Sequence, residues 1–488
     1  MISFVILLVL TATSLTEDKL VFLMTHIRHG ARAPQNYYNL SEHLDYVLES
    51  WNNPGELTPI GQRMHYALGL HNREKYITQK KFLSEKFDPH EILIYSTKFN
   101  RTLLSVSSFF QGLYPPGTGG EITKEQKVNA IPQVKLSQDV ESKLESLGLD
   151  ALPNKTSVVP IRMINDNERK IIIYDIPKCL WKRDKMREIN LNNSTELQQF
   201  VSNFDRNYSS KLNEMYRNNN SYNINFVDNF CDAFISGTTE LKTMEKLKTT
   251  GINQTELLEK CFYFMTLNFR DWISGDKERT LPTLEVSKLM KEFIHYMKQR
   301  IDLDRNNKSI AENYEDYSKP KMLMISGHDS TISMWEMFLI KIFLGNKEQN
   351  YKYPKFASQF TFEIVTDDKE VLPGKKTDMN YTINCYLNDE LFLTKNVDEF
   401  IKEVESKIYT DEQINDICQF DKDNSDKESP SDEDKCKDLY FILTIVFSAT
   451  TGVLLLLMVF FIIKACRNKN SETIVKEGRL LNNSETSF

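Results

Sequence analysis

Residues 20–34 read LVFLMTHIRHGARAP. The stretch Leu20–Ile27 is mostly apolar and rich in strand-forming residues, so it predicts a strand buried on both faces, as in a parallel sheet. Polar residues then take over at Arg28-His29-Gly30-Ala31-Arg32-Ala33-Pro34. In open α/β sheets the crevice beyond the carboxyl ends of the strands receives ligands, and a polar cluster directly after a buried strand lies there. His26, inside the apolar run, reads as a packed core histidine.

The pattern recurs twice. EILIY at 91–95 predicts a second strand, followed by Ser96-Thr97-Lys98-Phe99-Asn100-Arg101-Thr102. KMLMIS at 321–326 predicts a third, followed by Gly327-His328-Asp329-Ser330-Thr331. Helices are expected over RTLLSVSSFFQGL, with Ser96 and Thr97 as caps, and over TISMWEMFLIKIF. LTPIGQRMHYALGLHNREKY at 57–76 opens with Thr-Pro and predicts an amphipathic helix whose apolar face is Ile60, Met64, Leu68 and Leu70. FTFEIV and YTINCYL near the end read as a strand pair. Residues 135–320 have helical periodicity broken by Asn-rich loops, and read as an insert. The expectation is an α/β fold: a mostly parallel central sheet flanked by helices, with an inserted α-helical cap domain.

Parallel strands would gather the three clusters at one place. Arg28, Arg32 and Arg101 then form a fork-shaped site for a tetrahedral anion such as phosphate. Arg101 would lie at a helix start, where free backbone N–H groups also favour an anion. Gly30 would let the backbone approach the ligand. A neutral imidazole, His29, can attack phosphorus and form a phosphohistidine. An acid, Asp329, can protonate the leaving alkoxide. The arginines spread the phosphoryl charge, so neither a metal nor an organic cofactor is required; no HExxH or paired CxxC occurs.

RHGARAP, STKFNRT and GHDST resemble the motifs of the histidine acid phosphatase family, in its lysosomal and prostatic branch. ELTPIGQRMHYALG and FFQGLYPP are similar to segments of that branch. The resemblance covers most of 18–405, weakly in the cap. It implies a sheet domain like that of phosphoglycerate mutase with an inserted α domain. It also implies His29 as the phosphorylated nucleophile, Asp329 as proton donor, and Arg28, Arg32, Arg101 and His328 as phosphate-binding residues. The substrates would be phosphate monoesters, and a homodimer is compatible with the family. Lys98 departs from the pattern, standing where the family usually has an acid. The competing readings are an inositol-polyphosphate or lysophospholipid phosphatase of the same fold, and a non-catalytic surface receptor that retains it.

The flanks place the domain. ISFVILLVLTA at 2–12 reads as a secretory leader, with residues 1–16 removed. Residues 439–463, LYFILTIVFSATTGVLLLLMVFFII, carry no charge and are long enough to span a bilayer. Lys464, Arg467 and Lys469 follow, which sets 464–488 in the cytosol. The layout expected is a lumenal domain at 17–405, an acidic stalk at 406–438, one span and a short tail. Lysosome and cell surface both fit. Six lumenal cysteines suggest disulfides, and ten N-x-S/T acceptors ahead of the span suggest glycans. Asn100 is one acceptor, expected to stay unmodified because the helix start packs. The chain has 488 residues with 61 Lys+Arg and 68 Asp+Glu, a net −7 that argues against a nucleic-acid binder.

Overall fold

The computed structural model describes residues 18–35, 51, 53–164, 177–216, 221–242, 247, 250–274, 280–306, 320–345, 351–367 and 380–418. The expected leader, span and tail, and 419–438 of the expected stalk, lie outside the described residues.

The chain opens with β1 (Lys19–Arg28), then α1 (Pro59–Arg73), which runs on into a π-helical segment, Glu74–Gln79. β2 (Ile92–Ser96) and α2 (Asn100–Leu113) follow. A short helix α3 (Gln138–Ser146) precedes β3 (Arg162–Met163). Among the described residues come next α4 (Pro177–Asn193), α5 (Thr195–Tyr216), α6 (Ile224–Thr239), α7 (Gln254–Ser274) and α8 (Thr280–Asn306). β4 (Met322–Gly327) leads directly to α9 (Asp329–Phe343). The described chain closes with β5 (Gln359–Thr366), β6 (Tyr381–Leu387), β7 (Glu390–Asn396), α10 (Val397–Glu405) and α11 (Asp411–Cys418).

The sheet order is β3-β2-β4-β1-β5-β6-β7. β3, β2, β4 and β1 pair in parallel, whereas β1–β5, β5–β6 and β6–β7 are antiparallel. The sheet is therefore evenly mixed, not mostly parallel. The reason is local: β6 and β7 are joined through Asn388 and Asp389, both at positive φ, and so tight a connection can link only antiparallel strands. β3 lies inside the expected 135–320 insert yet joins the sheet edge, so the insert is not wholly a cap.

One sheet face packs Leu23, Ile27, Ile92, Ile94, Met322 and Met324 against Val106, Phe109 and Leu113 of α2. The other packs Phe22, Met24, Leu323, Ile325, Phe360 and Phe362 in a core shared with Phe293 of α8 and Trp335 and Phe338 of α9. That core continues without a break into α5, α6 and α7. Cys231 on α6 is bonded to Cys261 on α7. His26 is a core residue, its ring 4.6 Å from that of Trp335, and burial lowers its pKa to about 3.

Three local expectations change. The buried face of α1 is Gly61, His65, Gly69 and Asn72, while Leu70 is 40% exposed. Small residues win because α1 and α2 approach backbone to backbone: a Cβ on Gly69 would meet the Phe109 carbonyl oxygen at 1.9 Å, and one on Gly112 the Tyr66 oxygen at 2.1 Å. Second, the stretch expected as a stalk from 406 begins folded. Ile414 and Cys418 of α11 pack on Leu284, and the Tyr409 N–H donates to Ser287 Oγ at 2.9 Å. Third, Cys385 is free and buried in β6, so the six cysteines are not all paired; Cys418 is disulfide-bonded.

Two stability measurements follow. Gly69→Ala is expected to cost about 1–3 kcal/mol or more in denaturant unfolding, since neither backbone can move alone; an unchanged midpoint would contradict the close approach. Glu336 of α9 is 2% exposed, and burial raises its carboxyl pKa from 4.5 to about 8. A raised acid favours the fold below its unfolded value and loses that contribution as pH rises through 4.5 to 8. The loss is about 1.4 kcal/mol per pH unit in that window. Glu336→Gln should therefore raise the thermal midpoint at pH 8 more than at pH 4.5; an equal shift at both would contradict this.

Candidate active site

The parallel register sets the three clusters level. Arg28 pairs with Gly327 and Ser96 with Ser326. Beyond the strand ends the His29 N–H donates to the Gly327 carbonyl (3.0 Å) and the Thr97 N–H to the Ser326 carbonyl (3.1 Å). Gly30 is needed for a neighbouring backbone rather than for a ligand. A Cβ there would meet the Gly61 oxygen of α1 at 2.4 Å, and its N–H donates to Ser105 Oγ of α2 at 3.0 Å. Both helices thus clamp the loop that carries His29.

His29, Arg32, Arg101, His328 and Asp329 all line one cleft of about 340 Å³. Arg28 does not reach its surface. It is 2% exposed, with Nη1 donating to the Pro354 carbonyl (2.6 Å) and Nη2 paired to Asp329 Oδ2 (2.8 Å). Its guanidinium also lies 4.5 Å from the Phe356 ring centre and 4.9 Å from that of Tyr353. The Nε atoms of Arg28 and Arg32 are buried and make no hydrogen bond among the described residues.

His29 Nδ1 lies 2.9 Å from the Gly30 carbonyl oxygen, which can only accept; Nδ1 therefore carries the proton and Nε2 the lone pair. Burial, together with Arg28, Arg32, His328 and Arg101, lowers the pKa of this imidazole well below 6.5. His328 Nε2 is 3.0 Å from Thr97 Oγ1, and burial beside Arg101 lowers its pKa to about 3. Both rings are neutral at mildly acid pH.

Asp329 opens α9. Burial alone would raise its carboxyl pKa, but Arg28 and the Tyr353 hydroxyl, which donates to Oδ2 at 2.6 Å, outweigh burial and hold it at about 2. It is therefore a carboxylate, and a proton it donates must first be acquired. The main cause is Arg28, which demands a counter-charge.

The caps also differ. Ser96 and Thr97 do not cap α2; Phe99 precedes it with no side-chain cap, and Thr97 Oγ1 instead contacts Thr102 Oγ1 and His328. Asn100 is exposed, with Nδ2 donating to Glu56 Oε1 at 3.2 Å, so packing does not shield it from modification.

Several residues of the cleft had been missed. Asp232 of α6 grips Arg32 with both oxygens (2.7 and 3.1 Å) and accepts the Gln35 N–H at 3.0 Å. Asp228, one turn earlier, accepts from Asn268 Nδ2 (3.0 Å) and faces Arg187 Nη2 at 3.4 Å. Phe99, Met265, Phe269 and Trp272 supply apolar surface. The signal available was two acids at i and i+4 in the otherwise apolar run INFVDNFCDAFISG. Tyr353, in YKYPKF, had none.

A model of one family matches residues 19–384, described as the histidine phosphatase superfamily, branch 2. The chain belongs to that family. It is 36% identical over 118 residues to lysosomal acid phosphatase of Xenopus laevis, covering 24% of this chain and 26% of the relative. It is 34% identical over 135 residues to testicular acid phosphatase of Mus musculus, covering 28% and 31%. The matched segments thus span about a quarter to a third of these relatives. Among solved structures, the phytase from Citrobacter braakii aligns with a TM-score of 0.49 at 13% identity, over 82% of this chain and 98% of that one.

The buried pair makes a prediction. Asp329→Asn leaves Arg28 without its counter-charge and should cost about 3–5 kcal/mol of stability in the empty protein. Inorganic phosphate should then raise the melting temperature of the variant more than that of the wild type. Equal stabilisation of both by phosphate would contradict the pairing as the reason.

Proposed function

We propose that the chain is an acid phosphatase that hydrolyses phosphate monoesters through a covalent phosphohistidine on His29. The observation that carries this reading is the state of His29: a neutral imidazole with Nδ1 fixed by Gly30, in a cleft with Arg32 and Arg101 and with Arg28 behind it. Cations beside the ring do two things at once. They add to burial in keeping it unprotonated, hence nucleophilic, and they attract the anion it must attack. The membership of the family and the names of the relatives support the same reaction.

The chemistry balances as follows. The substrate phosphate binds Arg32, Arg101 and His328, with Arg28 buried behind them and acting through its charge. Its arrival adds negative charge beside Asp329, which offsets the pull of the arginines and raises the proton affinity of that carboxyl. A monoester near its second ionisation, pKa about 6, brings a proton that Asp329 can take up. His29 Nε2 attacks phosphorus, the bond to the leaving oxygen breaks, and Asp329 protonates that oxygen. Water then attacks the phosphohistidine, gives its proton to Asp329, and the P–N bond breaks. The arginines stabilise the equatorial oxygens in both steps.

The layout we infer is a lumenal or extracellular catalytic domain behind a leader at 1–16, anchored by residues 439–463. Among the described residues no helix is long and apolar enough to cross a membrane. The support for the anchor is the uncharged 25-residue run and the basic residues after it. Relatives named lysosomal support that compartment or a secreted one.

Kinetics test the mechanism. An imidazole titrating near 6.5 would be only about 3% neutral at pH 5; here kcat/KM for p-nitrophenyl phosphate should hold its plateau down to pH 5. It should fall above pH 6 to 7 as the monoanion is lost. Chelation with EDTA should not change it. His29→Ala should lose at least about a thousand-fold in kcat. A steep fall between pH 6.5 and 5, or an active His29→Ala variant, would refute the mechanism.

A further inference from the structure

Asp228 and Asp232 are one turn apart on α6 and both face the cleft. Two carboxylates so placed repel, and each is held by groups from other elements. Asp232 has Arg32 and the Gln35 N–H; Asp228 has Arg187 of α4 and Asn268 of α7. The result is a cleft with two unlike ends. The inner end holds Arg32 and Arg101 around His29, His328 and Asp329, with Arg28 buried behind Asp329. The outer end holds Asp228 with Arg187, and Asp232, which is held by Arg32 and loses that counter-charge to a phosphate that claims Arg32. Beside them lie Met265, Phe269 and Trp272, all less than 9% exposed. Even Arg187 is partly engaged, its Cζ 5.1 Å from the Trp272 ring centre.

We propose that Asp228 and Asp232 are specificity residues that read the charge of the leaving group. The cleft takes a single phosphate on a neutral or cationic body with a flat apolar face. It discriminates against bodies that carry further anionic groups. This specificity rests on the phosphatase reading above and narrows its substrate class. The physical argument is neutralisation. One phosphate uses the inner cations, and a second anionic group at the wall meets a net negative surface behind apolar rings. Inositol polyphosphates and acidic phosphopeptides fall on the excluded side. Burial, with the charges of Asp232 and Asp329, lifts the Asp228 carboxyl pKa to about 6 against the pull of Arg187. Discrimination should therefore sharpen from pH 5 to pH 7, as Asp228 becomes charged.

The test compares two aryl monoesters on the full chain, tyramine O-phosphate and phloretic acid O-phosphate. They share the ring and the phosphate and differ in a terminal ammonium against a terminal carboxylate. p-Nitrophenyl phosphate is the neutral reference. At pH 7 the wild type should favour the ammonium ester by about ten-fold in kcat/KM, mostly through KM. The preference should shrink at pH 5. Asp228→Asn should bring the ratio at pH 7 to within about three-fold, and Asp228→Glu should restore it. Asp232→Asn also loosens Arg32 and should raise KM for all three esters, so for that variant the ratio is the readout. Hydrolysis of the reference with a wild-type ratio near one, or a ratio unchanged in Asp228→Asn, overturns the specificity alone. Failure to hydrolyse any of the three overturns the phosphatase reading with it.

Discussion

A guanidinium with 2% exposure cannot be left alone in a protein interior, and Arg28 is such a group. Its counter-charge, Asp329, comes from a point 301 residues later in the chain. The two meet because β1 and β4 run in parallel and in a register that sets Arg28 beside Gly327. A one-residue slip would turn every side chain of β1 to the opposite face and break the pair. The close approach of Gly30 to Gly61 holds α1 against this end of the sheet, and that of Gly69 to Gly112 locks α1 to α2 farther along. Fold and site are thus one electrostatic problem: how to bury positive charge next to a histidine and keep both in place.

The solution fixes the chemistry. Burial, together with the cations that surround His29, keeps it neutral at pH values where an ordinary histidine is charged. Arg28 and Arg32, with the Tyr353 hydroxyl, also hold Asp329 ionised. One set of arginines thus lowers both pKa values, which helps keep the imidazole neutral and the carboxyl ionised. The cap completes the balance by lending Asp232 to Arg32. The carboxylates of Asp329 and Asp232 are the counter-charges of Arg28 and Arg32.

Much of this could be read in the chain. Apolar runs ending in Arg-His-Gly, Ser-Thr-Lys and Gly-His-Asp gave both the strands and their functional ends, because a buried strand and the polar loop after it are local patterns. The antiparallel half of the sheet was less legible: FTFEIV and YTINCYL read as a pair, but their attachment to β1 is a tertiary fact. The buried face of α1 misled, since Ile60 and Leu70 suggested an apolar stripe where close backbone approach required glycine. The ionisation of Asp329 could not be read at all, because it depends on Tyr353 and Arg28 converging from distant segments. Asp228 and Asp232 left a trace, two acids one turn apart in an apolar helix, but their partners Arg32 and Arg187 are not neighbours in sequence.

The account turns on a phosphoryl group passing through His29 Nε2. The most direct measurement is to mix the protein with excess p-nitrophenyl phosphate, quench in alkali within milliseconds, and map the phosphoryl group by mass spectrometry of peptides. The account predicts a phosphate on the peptide that contains His29, localised to that residue and absent once substrate is exhausted. Rapid turnover with His29 never phosphorylated, or with the phosphate on another residue, would contradict it.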